Sequence, residues 1–264
     1  DLRLTFDGGY QPDLADLRRL LSPRTRLVSL ASPQNPSGVA IPPATLRGVL
    51  AVMDEICPDA HLLVDETYRE AAYGDDPVAD SAVALDRRVI AIASLSKCHG
   101  APGLRIGWAI TRDAALREDL VLGKFNTVVS CSPLDEALAL AVLDEARGVL
   151  DPRRRHLAEG LARVAEWVQG NSALVDWVRP DAGAIACIRL KPAPFDAVAM
   201  RRFHEEIGSA GVRLASGAWF GDEERVFRLG FGLLTIPELE LALDALTGAL
   251  RRSIGPGAGA ASGA

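Results

Sequence analysis

Short apolar, β-branched runs alternate along this chain with longer segments of helical period. That alternation restricts it to a layered α/β fold with a mostly parallel central sheet flanked by helices. In the first half the strand candidates are Arg26–Ala31 (RLVSLA), His61–Val64 (HLLV), Val89–Ala93 (VIAIA) and Ile106–Ile110 (IGWAI). Their near-continuous hydrophobicity predicts strands covered on both faces. Leu14–Leu21, Pro43–Ile56, Asp113–Leu122 and Pro133–Leu150 are the predicted helices, two of them with proline at or near the first helical position.

From Asp151 the texture changes. Leu157, Leu161, Val164 and Val168 space one apolar stripe along a long helix that should end near Gly170-Asn171. Strand candidates follow at Leu174–Val178, Ala184–Leu190, Val212–Ala215 and Val226–Leu229. Among them lies a helix with Phe195, Val198, Phe203 and Ile207 on one face, and a helix over Pro237–Leu250 closes the fold. The reading is a large-domain portion over residues 1–150, a smaller α+β C-terminal domain over 151–251, and a disordered tail over 252–264, where IGPGAGAASGA has no face to bury. A length of 264 residues suits one large domain or two unequal ones.

Charge and cysteine usage narrow the function. A net charge of −6 supplies no basic field, so neither nucleic acid nor an anionic membrane is an expected partner. Acids interrupt every long apolar stretch, as Asp135, Glu136, Asp144 and Glu145 do, so no segment reads as a membrane span. The opening DLRLTFDGGYQPD carries acids and no apolar core, unlike a signal peptide, and the four dispersed cysteines read as reduced thiols of a cytoplasmic protein. Beginning at Asp1 without methionine is what a fragment or processed product would do.

Several familiar motifs are missing: no GxGxxG follows a strand, no GxxxxGK[ST] or GxSxG occurs, and HEEIG at His204 lacks the second histidine of a zinc helix. Scattered histidines and cysteines give no metal constellation. What remains is a set of four polar clusters placed where first-half strands end, the edge at which open α/β sheets bind ligands. They are Ser32-Pro33-Gln34-Asn35-Pro36-Ser37-Gly38, Asp65-Glu66-Thr67-Tyr68, Ser94-Leu95-Ser96-Lys97 and Gly100-Ala101-Pro102-Gly103-Leu104-Arg105. Each alone is ordinary loop chemistry. Together they suit one ligand. A lysine desolvated between buried strands and crowded by cations becomes a Schiff-base nucleophile. Arg105, with the hydroxyls of Ser94 and Ser96, suits a phosphate. An acid at a neighbouring strand end suits a protonated ring nitrogen. Amine, phosphate site and pyridinium partner describe pyridoxal 5'-phosphate.

With those residues in place, the sequence resembles the class I/II aminotransferases of pyridoxal-phosphate fold type I. The matching signatures, in family order, are QNPSG (34 to 38), DETY (65 to 68), SLSK (94 to 97) and GLRIG (103 to 107). VFRLGFG (226 to 232) looks like the family's C-terminal strand, and GAWFG (217 to 221) like its small-domain turn. The resemblance runs from about Leu14 to about Leu250. It implies Lys97 as the Schiff-base lysine and later general base, Asp65 at the ring nitrogen, and Asn35 and Tyr68 at the phenolic oxygen. It also implies Ser94, Ser96 and Arg105 at the phosphate and Arg228 at the substrate α-carboxylate.

The same resemblance implies a homodimer with shared active sites and a small amino-acid substrate. It further implies an N-terminal arm, a glycine-rich phosphate loop and a ring-stacking aromatic upstream of QNPSG. None precedes it here, so the chain reads as the C-terminal part of a longer enzyme with an incomplete large domain. The expected activity is transamination. The alternatives are a lyase or cyclase that expels a β-substituent from the same carbanion, of the capreomycidine-synthase kind, and a non-catalytic truncated relative or scaffold. Cys98 and His99 depart from the small or aromatic residues common beside the family lysine. They serve either packing or, in the case of His99, a second acid/base role.

Overall fold

The computed structural model describes residues 1–254, and the chain divides into two compact units. The expected tail is helical at Arg252 and Ser253, and its remainder from residue 255 lies outside the described residues. The first unit comprises Asp1–Arg155 with Pro180–Gly183, and the second His156–Arg179 with the chain from Ala184 onward. The division falls within one long helix.

In the first unit, β1 (Leu27–Ala31), β2 (His61–Asp65), β3 (Val89–Ser94) and β4 (Gly107–Thr111) form one sheet in the order β1-β2-β3-β4. The first three strands are parallel, and β4 runs antiparallel to β3. Helix α1 (Leu14–Leu20) starts where the Asp13 carboxylate accepts from the amides of Ala15 and Asp16. Helix α2 (Pro43–Ile56) begins on proline and turns Leu46, Val49, Leu50 and Met53 inward as one stripe. With Leu17, Val28, Leu30, Leu62 and Val64 these residues make the core. Each such side chain removed from water contributes about 1.5–3 kcal/mol.

The expectation of strands covered on both faces holds at the start of β3, where Val89, Ile90 and Ala91 are all buried, and is corrected at β1. There Leu27 and Ser29 are exposed while Val28 and Leu30 are buried, so among the described residues one face of β1 keeps solvent access.

Helix α3 runs Ala114–Thr127, past the expected end at Leu122, because Asn126 and Thr127 donate back to the carbonyls of Leu122 and Gly123. The single helix expected over Pro133–Leu150 is two. Helix α4 (Pro133–Asp144) stops at Glu145, and α5 (Ala146–Gly170) continues through Pro152. Acids at Asp144 and Glu145 oppose the dipole at the end of α4 and favour the start of α5, so the break falls between.

In the second unit, β5 (Val175–Val178), β6 (Ile185–Leu190), β7 (Ala215–Ser216) and β8 (Val226–Gly230) form an antiparallel sheet in the order β5-β6-β8-β7. The strand expected over Val212–Ala215 shrinks to the two residues of β7, because Gly211 holds φ +73 and the chain is still turning. Helices α6 (Ala197–Ser209) and α7 (Ile236–Ser253) belong to the same unit. The expected face of α6 is also corrected. Phe195 precedes the helix, and Val198 is exposed, because the buried stripe is Ala199, Met200, Phe203 and Ile207. Five helical residues separate Val198 from Phe203, which turns the two far apart around the axis.

Candidate active site

The carboxyl ends of β1, β2 and β3 lie side by side. Ala31 is paired with Asp65, Asp65 with Ile92, and Ser94 with Gly107 on β4. Paired strands run about 4.8 Å apart, so the loops that leave them share one edge. The Ser32 amide donates to the Asp65 carbonyl at 2.9 Å and the Glu66 amide to the Ile92 carbonyl at 2.8 Å, which carries the pairing beyond the strands.

The loop after β1 is braced from below. Gln34 and Ser37 are buried; Gln34 Nε2 donates to the Tyr10 carbonyl at 2.7 Å, and Ser37 Oγ to Gln34 Oε1 at 3.2 Å. That bracing leaves Asn35 exposed at the turn. The Ser32-Pro33 and Asn35-Pro36 peptide bonds are both cis. A segment that sequence reasoning missed, Pro180–Gly183, also joins this unit. Asp181 Oδ2 accepts from the Ala40 amide at 2.9 Å, and the Gly183 amide donates to the Ala71 carbonyl at 2.9 Å. Nothing in local periodicity marks such a return.

At the end of β2, Asp65 Oδ1 accepts from the Thr67 amide at 2.9 Å and the Thr67 hydroxyl at 2.5 Å. One carboxylate oxygen therefore caps the turn, and Oδ2 makes no hydrogen bond among the described residues. Tyr68 is half-buried in the same turn.

After β3, Ser94 Oγ accepts from the Ser96 amide at 3.3 Å. Arg105 stands at φ +52, in the left-handed region that a non-glycine residue occupies only when its surroundings impose it. Its guanidinium donates to the Pro102 carbonyl at 2.8 Å and reaches Ser96 Oγ at 3.5 Å, and it pairs with no carboxylate among the described residues. Two hydroxyls and an exposed guanidinium thus converge around one turn. Gly107 is required beside them, since a Cβ there would stand 2.8 Å from the Ala93 carbonyl oxygen.

Lys97 differs from the sequence expectation. The residue is exposed rather than desolvated, and it is the backbone that is held: Arg153 donates to the Lys97 carbonyl at 3.3 Å, and the Ala101 amide to the Leu95 carbonyl at 3.0 Å. Arg153, seven residues into α5, carries no sequence signal for that task.

Arg228 belongs to the second unit. It sits on β8 between β6 and β7, paired with Cys187 and Ala215, with its guanidinium 4.9 Å from the Phe220 ring centroid.

A cleft of about 610 Å³ opens at the same end of the first unit's sheet, lined by Ser32, Val64, Glu66, Arg69 and Asp181 among others. Its walls hold the sequence neighbours of the candidate residues and none of Asn35, Asp65, Tyr68, Ser94, Ser96, Lys97 or Arg105. The Glu66 carboxylate facing it is already bonded to Ser81, the Ala82 amide and Arg69.

The donor set fits pyridoxal phosphate: an amine for its aldehyde, a guanidinium with two hydroxyls for its phosphate, an open carboxylate oxygen for its ring nitrogen, and an amide and a phenol for its phenolic oxygen. No helix among the described residues is long and apolar enough to cross a membrane, and no group of three potential metal ligands occurs among them.

Comparison with known proteins gives the same direction. The family model for aminotransferase class I and II matches residues 3–246. Capreomycidine synthase of Streptomyces vinaceus is 33% identical over 242 residues, covering 91% of this chain and 60% of that protein. A PLP-dependent aminotransferase from Streptococcus suis superposes with a TM-score of 0.84 at 26% identity, over 97% of this chain and 65% of the other. The PLP-dependent cyclase OrfR is 28% identical with a TM-score of 0.76, over 92% and 63% of the two chains. The chain thus spans 60% of the curated relative's length and 63–65% of the two solved chains.

Proposed function

The chain belongs to the aminotransferase class I and II family, with that family's layered fold, and from this premise we propose that it forms part of a pyridoxal-phosphate-dependent enzyme acting on an α-amino acid, in the first place an aminotransferase. The observation that carries the reading is the convergence of Lys97, Asp65 and the Ser94–Ser96–Arg105 turn on adjacent strand ends. When bound, the cofactor supplies an electrophilic carbon and an electron-accepting ring.

The protein's own groups do the rest. Lys97 Nζ would hold the cofactor at its aldehyde group, and the same amine, when free, would take the proton from the substrate Cα. Asp65 Oδ2 keeps a proton on the ring nitrogen by charge, while Oδ1 remains fixed by Thr67. Ser94, Ser96 and Arg105 anchor the phosphate. Asn35 and Tyr68 donate to the phenolic oxygen. Arg228 takes the substrate carboxylate with two parallel bonds that a lysine could not reproduce. The active assembly is a homodimer with shared sites, in a cytoplasmic setting consistent with dispersed cysteines.

A second reading has its own support: two of the similar proteins are named capreomycidine synthase and a PLP-dependent cyclase. On that reading Lys97 would take the same α-proton, the electron pair left at Cα would expel the β-substituent, and a nucleophile of the substrate's own side chain would close the ring by adding at the vacated Cβ as it gives up its proton and Cα regains one. One experiment separates the two. The full-length enzyme is incubated with pyridoxal phosphate and a panel of amino acids, with and without an oxo-acid acceptor, and the products are identified. Oxo acid formed from the amino donor supports transamination. A cyclised product or released β-substituent without acceptor supports the second reading. Borohydride reduction should fix the cofactor to the Lys97 peptide in either case, and fixation at another lysine overturns both.

A further inference from the structure

Two side chains beside Lys97 have no task in the chemistry above, and both reach the segment that follows Asp65. The Cys98 Sγ lies 3.0 Å from the Thr67 carbonyl oxygen. Burial, reinforced by the charge of Glu70, pushes the thiol up to about 11, so it keeps the proton it donates. His99 Nε2 lies 3.4 Å from Glu70 Oε2, its ring edge-on to Trp108 with centroids 6.4 Å apart. His99 Nδ1 is buried without a hydrogen-bond partner among the described residues. An unmet buried polar atom costs about 1–3 kcal/mol, so the ring is held there against a penalty.

Burial decides between the two roles left open for His99. Its side chain is 2% exposed, which denies a substrate carbon any approach to the imidazole and removes the acid/base role. The mechanical role remains. Lys97 is exposed at its loop, while the next two residues anchor side chains on residues 67 and 70.

We propose that Cys98 and His99 form a double tether that locks the Lys97 loop to the Asp65–Glu70 segment and so fixes the separation of lysine and carboxylate that a bound pyridoxal ring must span. His99 and Glu70 are positioning residues in this arrangement. The inference rests on the reading that Lys97 and Asp65 hold one cofactor.

The test uses the full-length enzyme and the variants H99F, E70A, H99F/E70A and C98A. Phenylalanine keeps the ring volume and the edge against Trp108 but offers Glu70 no N–H. Without cofactor, amide hydrogen exchange across residues 94–101 should speed up about tenfold in H99F and in E70A, with the double variant no faster than either single one. C98A should loosen the same amides independently. With pyridoxal phosphate added, the dissociation constant should rise by a similar factor, and the visible circular dichroism of the bound cofactor should weaken as the ring loses its fixed orientation. Wild-type exchange in H99F, additive effects in the double variant, or unchanged dichroism overturns the tether. Should H99F fail to fold, E70A decides alone, because the Glu70 side chain is 31% exposed and its removal leaves the core intact. An unmodified enzyme that acquires no visible band sinks the active-site reading instead, while the exchange measurement still judges the tether.

Discussion

Burial sets the Cys98 thiol apart from an ordinary one. The residue is 5% exposed, and removal from water, followed by the negative charge of Glu70, disfavours the thiolate and raises the thiol from 9.0 to about 11. Only the thiolate reacts with an alkylating agent, so the sign follows directly: labelling should rise with pH through a midpoint displaced upward. At pH 9 about half of an ordinary thiol is ionised, against roughly 1% of a group titrating two pH steps higher. Mass-spectrometric mapping of iodoacetamide labelling between pH 7 and pH 11 should show Cys98 reaching half-labelling at a higher pH than a free cysteine-containing peptide labelled alongside. The position of the midpoint separates ionisation from slow access, which would lower the rate at every pH alike. Equal midpoints for Cys98 and the peptide would show that the Cys98 pocket is wet. Arg105 makes a related point: at φ +52 it is held in a conformation its own side chain disfavours, beside the hydroxyl and carbonyl its guanidinium touches.

Among the elements, the pairing of β3 with β4 gives the site its shape. Ser94 pairs with Gly107, and a Cβ on Gly107 would meet the Ala93 carbonyl oxygen at 2.8 Å and the Ser94 Cβ at 3.2 Å. A backbone oxygen cannot swing aside, so Gly107→Ala must move β4 away from β3 and take the Arg105 turn with it. The expected cost is about 1–3 kcal/mol in thermal or urea unfolding, with weaker pyridoxal-phosphate binding. Gly103→Ala is the control, because nothing lies within 4 Å of the added atom, and it should leave both measurements unchanged. If the two variants behave alike, the close approach at Gly107 is not what matters. The β1 to β4 run and α2 were legible in the sequence because each carries its own period and its own stop signals. The break at Glu145 was not, since Pro133 to Leu150 keeps an apolar pattern throughout and only end charges divide it. Polar clusters at strand ends could be read as a site because strand order and chain order coincide there. The anchors of Lys97 could not, because Arg153, Glu70 and Thr67 meet its loop only through tertiary folding.

At the scale of the whole molecule, the exposed large apolar side chains among the described residues are densest on α3 and α4, helices that their sequences mark as half-apolar but that cover almost nothing. α3 buries no residue and α4 only Ala139, while Phe125 is 61% and Leu134 70% exposed, with Val121, Leu122, Leu138 and Leu140 beside them. Lys124 Nζ stands 4.0 Å from Glu136 Oε1, so α3 and α4 approach each other at this pair. Soluble proteins rarely leave so much contiguous apolar surface without a partner. The partner proposed here is a second copy of the chain, the assembly the family resemblance leads one to expect, and a two-fold contact would set the same patch against itself. A charge placed at its centre then enters twice, once from each copy, and like charges facing across an apolar contact cost far more than one exposed charge costs the monomer. Light scattering should accordingly find the full-length protein dimeric and find F125E and L134E shifted to monomer. Far-ultraviolet circular dichroism should stay unchanged if a second copy covers this face, whereas loss of the folded signal would assign the face to another part of the same full-length chain, since both side chains are exposed among the described residues. Dimers that survive both substitutions would place the interface elsewhere, and a monomeric wild type would leave this face to a different occupant.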